Sequence, residues 1–170
     1  VNGDIDSNLA NTITSNIQFL SGSSVSVAGA SDILSLNGDI TYSGGTYTGL
    51  GRIVQNGDAV VSADTTIAVG VYDWDGGPLS TTTINPNVDF TLNVGAVDVG
   101  NDQFDGVVNI GAGGSLTVNN TANLCTNAGT SHLMGGTLAG ETVDNIDLIT
   151  GFGTITARVI NNGEIEAMGG

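Results

Sequence analysis

An all-β fold, a parallel β-helix, is predicted by three features of the sequence: alternating apolar and polar residues, glycine-rich turns and repeated phrases. The alternation is clearest in "VDFTLNV", residues 88–94, where the apolar side chains fall on one face of an extended strand. The 27 glycines and many asparagines separate such stretches, and both residue types accept the positive φ angles of tight turns. Short strands with one apolar face can bury that face by coiling upon one another.

The phrase Asn-Gly-acid-apolar indicates the length of one turn of this coil. It begins at Asn2, Asn37 and Asn162, and a close relative begins at Asn56. A second phrase, Gly-Thr or Gly-Ser followed by Leu or Ile, begins at positions 114, 136 and 153. Each phrase predicts a tight turn followed by an inward-pointing apolar residue. The shortest steps between neighbouring phrases therefore predict solenoid turns of about 17–22 residues.

Two structural alternatives remain open at this point. An antiparallel sandwich or an up-and-down barrel would also use Asn-Gly, which is the strongest hairpin signal. The quasi-regular repeats favour the solenoid, because each of its turns presents the same corner to the next. Within residues 7–20, Leu9, Ile13 and Ile17 have helical spacing, but the threonine, isoleucine and asparagine content of this stretch favours strands over a short helix.

Two stretches carry a resemblance to a known family: "NAGTSHLMGGTLAG", residues 127–140, and "ITGFGTITARVINNGEIEAMGG", residues 149–170. They resemble the repeats of bacterial surface β-solenoids, the passenger regions of autotransporters and related filamentous adhesins. The resemblance implies a right-handed parallel β-helix that is exported to the bacterial cell surface or beyond. We expect residues 1–170 to form a single β-solenoid segment, a fragment of a longer repeat protein. Residues 73–87 interrupt the repeat and contain both prolines, which predicts a loop that leaves the rod.

Acidic residues dominate the charge of the chain. There are 17 Asp and Glu residues against two basic residues, Arg52 and Arg158, and the formal net charge is −15. Nucleic acids and anionic membranes bind through basic groups, so neither is an expected partner. No apolar run reaches the length of a membrane span, and we expect no direct membrane insertion.

Catalytic chemistry has few candidates in this sequence. The only histidine, His132, and the only cysteine, Cys125, lie in strand-like stretches, where a surface histidine and a small buried thiol are the ordinary interpretations. Glycoside hydrolysis requires a pair of carboxylates, which the acidic loops described next could supply. Because the basic and imidazole groups that tune such pairs are nearly missing, we do not expect an enzyme.

Two acidic loops are candidate calcium sites. Calcium requires hard oxygen ligands on tight loops, and "DWDGG" and "NDQFDG" each place such ligands before a glycine turn. Neither loop has the glutamate that completes an EF-hand, and acidic turns that only keep the rod soluble are the alternative. The candidate ligands are Asp73, Asp75, Asn101, Asp102 and Asp105.

Two aromatic residues lie beside the first of these loops. Tyr72 and Trp74 are candidates for stacking on a sugar ring, as aromatic residues with an exposed face do. The alternative is that they cover the end of the apolar core.

Threonine pairs raise the question of ice binding, because threonine-rich β-solenoids can present flat regular arrays. Thr-x-Thr pairs begin at Thr46, Thr81 and Thr154. The steps between these positions are unequal and longer than one turn, so the pairs do not recur on every turn and no continuous array is predicted.

The predicted function is that of an extracellular structural or adhesive module that forms or extends a surface fibre. The open ends of a rod carry unpaired strand edges, so the expected partners are a second copy, end to end, or further repeats of the same chain. A carbohydrate-binding or polysaccharide-degrading β-helix, with glycans as ligands, is the alternative. Ice binding is the third candidate.

Overall fold

A computed structural model shows a β-solenoid of about seven turns built from parallel strands. The structure describes residues 3–74, 81–94, 106–120 and 125–169. These residues form no helix, and so none that could span a membrane. The prediction of an all-β solenoid is confirmed.

The described residues form 21 strands with short connections between them. In chain order the strands are β1 (Asp4–Ser7), β2 (Ala10–Ile13), β3 (Ile17–Leu20), β4 (Ser24–Val27), β5 (Ile33–Leu36), β6 (Ile40–Ser43), β7 (Thr46–Thr48), β8 (Arg52–Gln55), β9 (Ala59–Ala63), β10 (Thr65–Ala68), β11 (Val71–Trp74), β12 (Thr81–Ile84), β13 (Asp89–Val94), β14 (Val107–Ile110), β15 (Ser115–Asn120), β16 (Cys125–Asn127), β17 (Thr130–Gly140), β18 (Thr142–Asn145), β19 (Leu148–Ile155), β20 (Arg158–Asn161) and β21 (Glu164–Ala167).

The strands are arranged on three faces around a common interior. The first face contains β1, β4, β7, β10, β13 and β15, and the third face contains β3, β6, β9, β12, β14 and β21. β17 and β19 are long strands that begin on the third face and end on the first, with a register shift between Met134 and Thr137 in β17. The second face consists of two sheets, β2, β5, β8 and β11, then β16, β18 and β20.

The number of residues in a turn varies more than the repeats predict. Asp89 pairs with Ser115, and these two residues are 26 positions apart in the chain. Near the other end of the rod Asn145 pairs with Asn161 after only 16 positions. The predicted range of turn lengths is therefore too narrow. Corner connections can change length while the strands stay in register, so the repeat unit need not be constant.

The interior is apolar and changes character along the rod. Five aromatic rings fill the early turns, with neighbouring ring centroids between 5.4 and 6.0 Å apart; they belong to Phe19, Tyr42, Tyr47, Tyr72 and Phe90. The later turns are filled by aliphatic side chains and by the buried thiol of Cys125, as predicted for that residue; among them are Leu116, Leu133, Leu138 and Ile149. The rod thus has a continuous core from end to end.

Corners of successive turns touch closely enough to require glycine. Gly49 has a φ angle of +129° and Gly140 has a φ angle of +110°. A Cβ atom at either position would collide with a backbone carbonyl of the preceding turn, that of Val27 or Val118 respectively. The glycine-rich composition therefore follows from both backbone conformation and stacking distance.

The interrupting segment 73–87 is only partly a loop. Asp73 and Trp74 are the last residues of β11, and β12 (Thr81–Ile84) pairs with β9 and β14. Residues 75–80 lie outside the described part of the chain. β12 forms a strand because its residues alternate, with Thr82 and Ile84 buried and Thr81 and Thr83 half-buried. The helical alternative for residues 7–20 is wrong as well: Leu9 is exposed and adopts a φ angle of +69°, which no α-helix allows.

Candidate functional site

Tyr72 lies inside the core, where it cannot stack on a sugar ring. Its side chain is 1% exposed. Its hydroxyl donates a hydrogen bond to Oε1 of Gln55 at 2.6 Å and lies 2.9 Å from the hydroxyl of Tyr42. The prediction that Tyr72 binds glycans is therefore corrected, because inward-facing positions of β11 are enclosed by the neighbouring turns. Trp74 ends the same strand, and its side chain lies outside the described residues.

Gln55 is the centre of this buried hydrogen-bond network. Its Nε2 group donates to Oγ1 of Thr82 at 2.8 Å and to the carbonyl of Gly57 at 3.2 Å. Since Tyr72 donates to Gln55, the hydroxyl of Tyr42 must donate to Tyr72. Burial raises the pKa of Tyr42 and of Tyr72 well above the ordinary value of tyrosine. These hydroxyls are neutral hydrogen-bonding groups that connect successive turns.

Asp73 pairs with a basic residue on the second face. Nη1 of Arg52 lies 3.1 Å from Oδ2 of Asp73, and both side chains are partly buried. Within residues 3–74, 81–94, 106–120 and 125–169, no three acidic, histidine or cysteine side chains form a metal-binding group. The other candidate calcium ligands, Asp75, Asn101, Asp102 and Asp105, lie outside these ranges. Calcium binding stays a prediction.

The first face carries a column of hydroxyl side chains along the rod. Strand pairing aligns one residue from each of five consecutive strands, β4, β7, β10, β13 and β15. These residues are exposed or half-buried and alternate with fully buried residues of the same strands, so they point outward. The column consists of Ser24, Thr46, Thr66, Thr91 and Thr117.

A second outward column lies two residues further along the same strands. Neighbouring strands are about 4.8 Å apart, and alternate residues of one strand are about 6.6 Å apart, so the two columns form a regular grid. Oδ1 of Asn93 accepts a hydrogen bond from Nδ2 of Asn119 at 2.8 Å, which continues the order from strand to strand. None of the residues in this outward grid is charged, on a chain with a net charge of −15. The second column consists of Ser26, Thr48, Ala68, Asn93 and Asn119.

A ladder of asparagines runs inside the corner between the second and third faces. Nδ2 of Asn127 donates to Oδ1 of Asn145 at 2.6 Å, and Nδ2 of Asn145 donates to Oδ1 of Asn161 at 2.7 Å. Asn127 and Asn145 are completely buried, and each is the last residue of a second-face strand. Buried amides are stable here because each finds its partner in the next turn.

The C-terminal turn leaves apolar surface uncovered. Ile165, in β21, is 47% exposed, and Phe152 and Met168 are similarly exposed. A cavity of about 130 Å³ opens beside Ile165, and its lining also includes Leu133, Ile149 and Ile155. At the opposite end of the rod, Ile5, Ile13 and Ile17 are also only partly buried against the core. Both ends of the described rod therefore expose side chains that point into its interior.

The sequence held signals for both the grid and the ladder. Of the Thr-x-Thr pairs only the one that begins at Thr46 contributes to the hydroxyl column, and the other threonines of the column belong to no such pair, so a search for Thr-x-Thr pairs missed it. The ladder asparagines recur at intervals of 18 and then 16 positions, and each ends a short stretch with an apolar residue two positions earlier.

His132, predicted to lie on the surface, is half-buried on the third face beside Asn109 and Thr150.

The fold and these surfaces define the chain as a β-solenoid. Comparison with protein-family models, with curated proteins and with solved structures gave no significant match. The function therefore has to be argued from the molecule's own surfaces.

Proposed function

We propose that this chain is an extracellular structural or adhesive module that extends a bacterial surface fibre by stacking with further solenoid turns. The observation that carries the proposal is the C-terminal turn, where the outer edge of β21 and the half-exposed side chain of Ile165 could be covered by a further solenoid turn. The resemblance of residues 127–170 to bacterial surface solenoids supports the location. The proposal includes no catalytic role, in line with the scarcity of basic and imidazole groups.

Stacking of a second copy end to end is the simplest form of this extension to measure. Both ends are acidic, with Asp4 and Asp6 in the first strand and Glu164 and Glu166 in the last. Their repulsion weakens association at low ionic strength, where charges act over about 10 Å or more. We therefore expect association that strengthens as salt is added.

Light scattering coupled to size-exclusion chromatography tests this proposal. We expect end-to-end oligomers whose fraction rises with protein concentration and with salt, and linear rods in negative-stain images. Ile165→Glu should prevent them, because it buries a charge at the stacking surface. Val60→Glu is the matched control, since Val60 is 39% exposed on the third face, in β9, which is paired with a strand on each side. Monomers under all conditions, or equal effects of the two variants, would count against stacking.

Ice binding is the second candidate, and the hydroxyl column of the first face favours it. A regular and uncharged grid on a strongly acidic molecule is a surface that can match an ordered lattice of water. Inhibition of ice recrystallisation measures this activity directly. Thr66→Lys should abolish it, whereas Thr41→Lys, the same change on the third face, should leave it intact. No inhibition by the unaltered chain rules this candidate out.

A further inference from the structure

The asparagine ladder repeats one hydrogen-bonding pattern from turn to turn. Asn127 donates both to Oδ1 of Asn145 and to the carbonyl of Leu148, the latter at 3.0 Å. Asn145 donates both to Oδ1 of Asn161 and to the carbonyl of Glu164, also at 3.0 Å. In each case the amide reaches the next asparagine and the carbonyl of the residue three positions after it.

The ladder is closed at one end and open at the other. Oδ1 of Asn127, the first member, accepts a hydrogen bond from Oγ of Ser131 at 2.9 Å. Asn161, the last member, is exposed, and its Nδ2 group has no hydrogen-bond partner among the residues that the structure describes. Two donor hydrogens of Asn161 thus point beyond the last turn of the ladder.

The apolar surroundings of Asn161 are open in the same direction. Ile155 and Val159, which face the interior in the last turn, are only partly buried. The cavity of about 130 Å³ lies beside Ile155 and Ile165. A further turn would have to place an apolar side chain over this cavity and an acceptor over Asn161.

The N-terminal turn of a second copy does not supply that acceptor. The ladder occupies the last residue of the second-face strands, and the last residue of β2 is Ile13. An isoleucine side chain has no hydrogen-bonding atom, so stacking of a second copy would leave one of the two donor hydrogens of the Asn161 amide facing an apolar group. Burying an unpaired amide is costly, which makes self-stacking weaker than stacking of a matched turn.

From this asymmetry we infer that the C-terminal end selects a particular partner: a parallel solenoid turn with asparagine at the last position of its second-face strand. The inference rests on the proposed stacking function and names the chemistry of the stacking partner. The asparagine supplies Oδ1 to Asn161, and the turn that carries it supplies the backbone carbonyl three residues later. The ladder thereby specifies the register and the identity of the next turn more narrowly than apolar burial alone does.

A chain with one added turn tests the inference. The turn is a copy of residues 155–169 joined after Gly170, which places the copied asparagine as far after Asn161 as Asn161 lies after Asn145. A second form of the added turn has leucine in place of that asparagine. Each form is also combined with Asn161→Leu in the original chain, which completes a double-mutant cycle. The measurement is hydrogen exchange of the backbone amides of β20 and β21.

We expect the asparagine turn to protect these amides about tenfold more than the leucine turn, and Asn161→Leu to remove the difference. Equal protection by both forms would overturn the inference while leaving stacking, and the proposed function, in place. No added protection by either form would overturn the inference. No added protection together with an absence of self-association would remove the proposed function as well. Self-association of the unextended chain as tight as stacking of the asparagine turn would identify the second copy as the preferred occupant and overturn the inference.

Discussion

The early turns and the late turns of the rod use different residues to hold a polar side chain in a buried corner. In both regions the last residue of a second-face strand points into a buried corner. In the early turns the end of β8 places Gln55 at this position, where it is bonded to Tyr72 and Thr82 of the following turn. In the late turns it holds Asn127 and Asn145, which bond directly to one another. A polar side chain is tolerated in the corner wherever the next turn supplies a matching group.

The turns beside the second face are also longer in the early region than in the late region. Beside the early second-face strands, Leu9 bonds to Asp32 across 23 positions and Asn56 bonds to Asn37 across 19. The ladder asparagines of the late turns bond across only 18 and 16 positions. A larger turn encloses more interior volume, which bulky rings must fill to native packing density. All three tyrosines of the chain lie in the early region, where the turns beside the second face are longer.

Alkaline pH should produce the largest contrast between the two regions. Burial raises the pKa of Tyr42, Tyr47 and Tyr72, so the unfolded chain releases their protons at lower pH than the folded chain. Stability is therefore complete below about pH 10 and falls above it. At about pH 11 the three tyrosines together should cost about 4 kcal/mol. Tyrosinate absorbance and methyl NMR signals from the two regions measure this.

The alkaline transition shows whether the early and late regions unfold together or separately. If Leu34 in the early region and Leu138 in the late region lose their native signals at the same pH, the rod unfolds as one cooperative unit and the regions are not independent. If Leu138 keeps its native signal, the late region is a separate unit of stability. Cys125→Ala is the control, since the thiol is the other side chain in the core that can ionise at alkaline pH. The chain contains no lysine.

The general architecture could be predicted because each strand carries its own signal. Alternation in "VDFTLNV" and the Asn-Gly phrases act locally, so they identify strands and turns wherever they occur. The interrupted repeat and the two prolines predict a loop over residues 73–87, but residues 81–84 within it form a strand. The segment forms a strand because Gln55, 27 residues earlier, provides a partner for the buried Thr82. A local sequence pattern cannot predict a hydrogen-bond partner that lies in another turn.

The surfaces were harder to predict than the fold, because they depend on how turns of unequal length align. Thr46 pairs with Thr66, and Thr66 pairs with Thr91, although the second pair is further apart along the chain than the first. No single period finds such a column. The position of Tyr72 inside the core depends in the same way on which residue of β8 it pairs with, Ile53.

The interior asparagine ladder should contribute more to the free energy of unfolding than the exterior asparagine pair. Asn145→Leu removes four hydrogen bonds, two to other asparagines and two to the carbonyls of Asp147 and Glu164, and should lower the free energy of unfolding by about 3 kcal/mol. Asn119→Leu removes the exterior bond to Asn93, which water can replace, and should cost less than about 0.5 kcal/mol. Urea denaturation of both variants measures the difference. Similar losses would show that the ladder contributes no more to stability than the exterior hydrogen bond between Asn119 and Asn93.

The smallest of the three effects separates the members of the early network. Tyr72→Phe leaves Oε1 of Gln55 without its donor and the hydroxyl of Tyr42 without its acceptor, so the free energy of unfolding should fall by about 2 kcal/mol. Tyr42→Phe removes only the hydrogen bond to Tyr72 and should cost about 1 kcal/mol. Urea denaturation measures both, and the double variant should cost no more than Tyr72→Phe alone, because it also removes the buried hydroxyl that Tyr72→Phe leaves without an acceptor. Strict additivity would mean that the two hydroxyls do not act through one network, and that the early turns are held together by ring packing rather than by the polar corner that they share with the late turns.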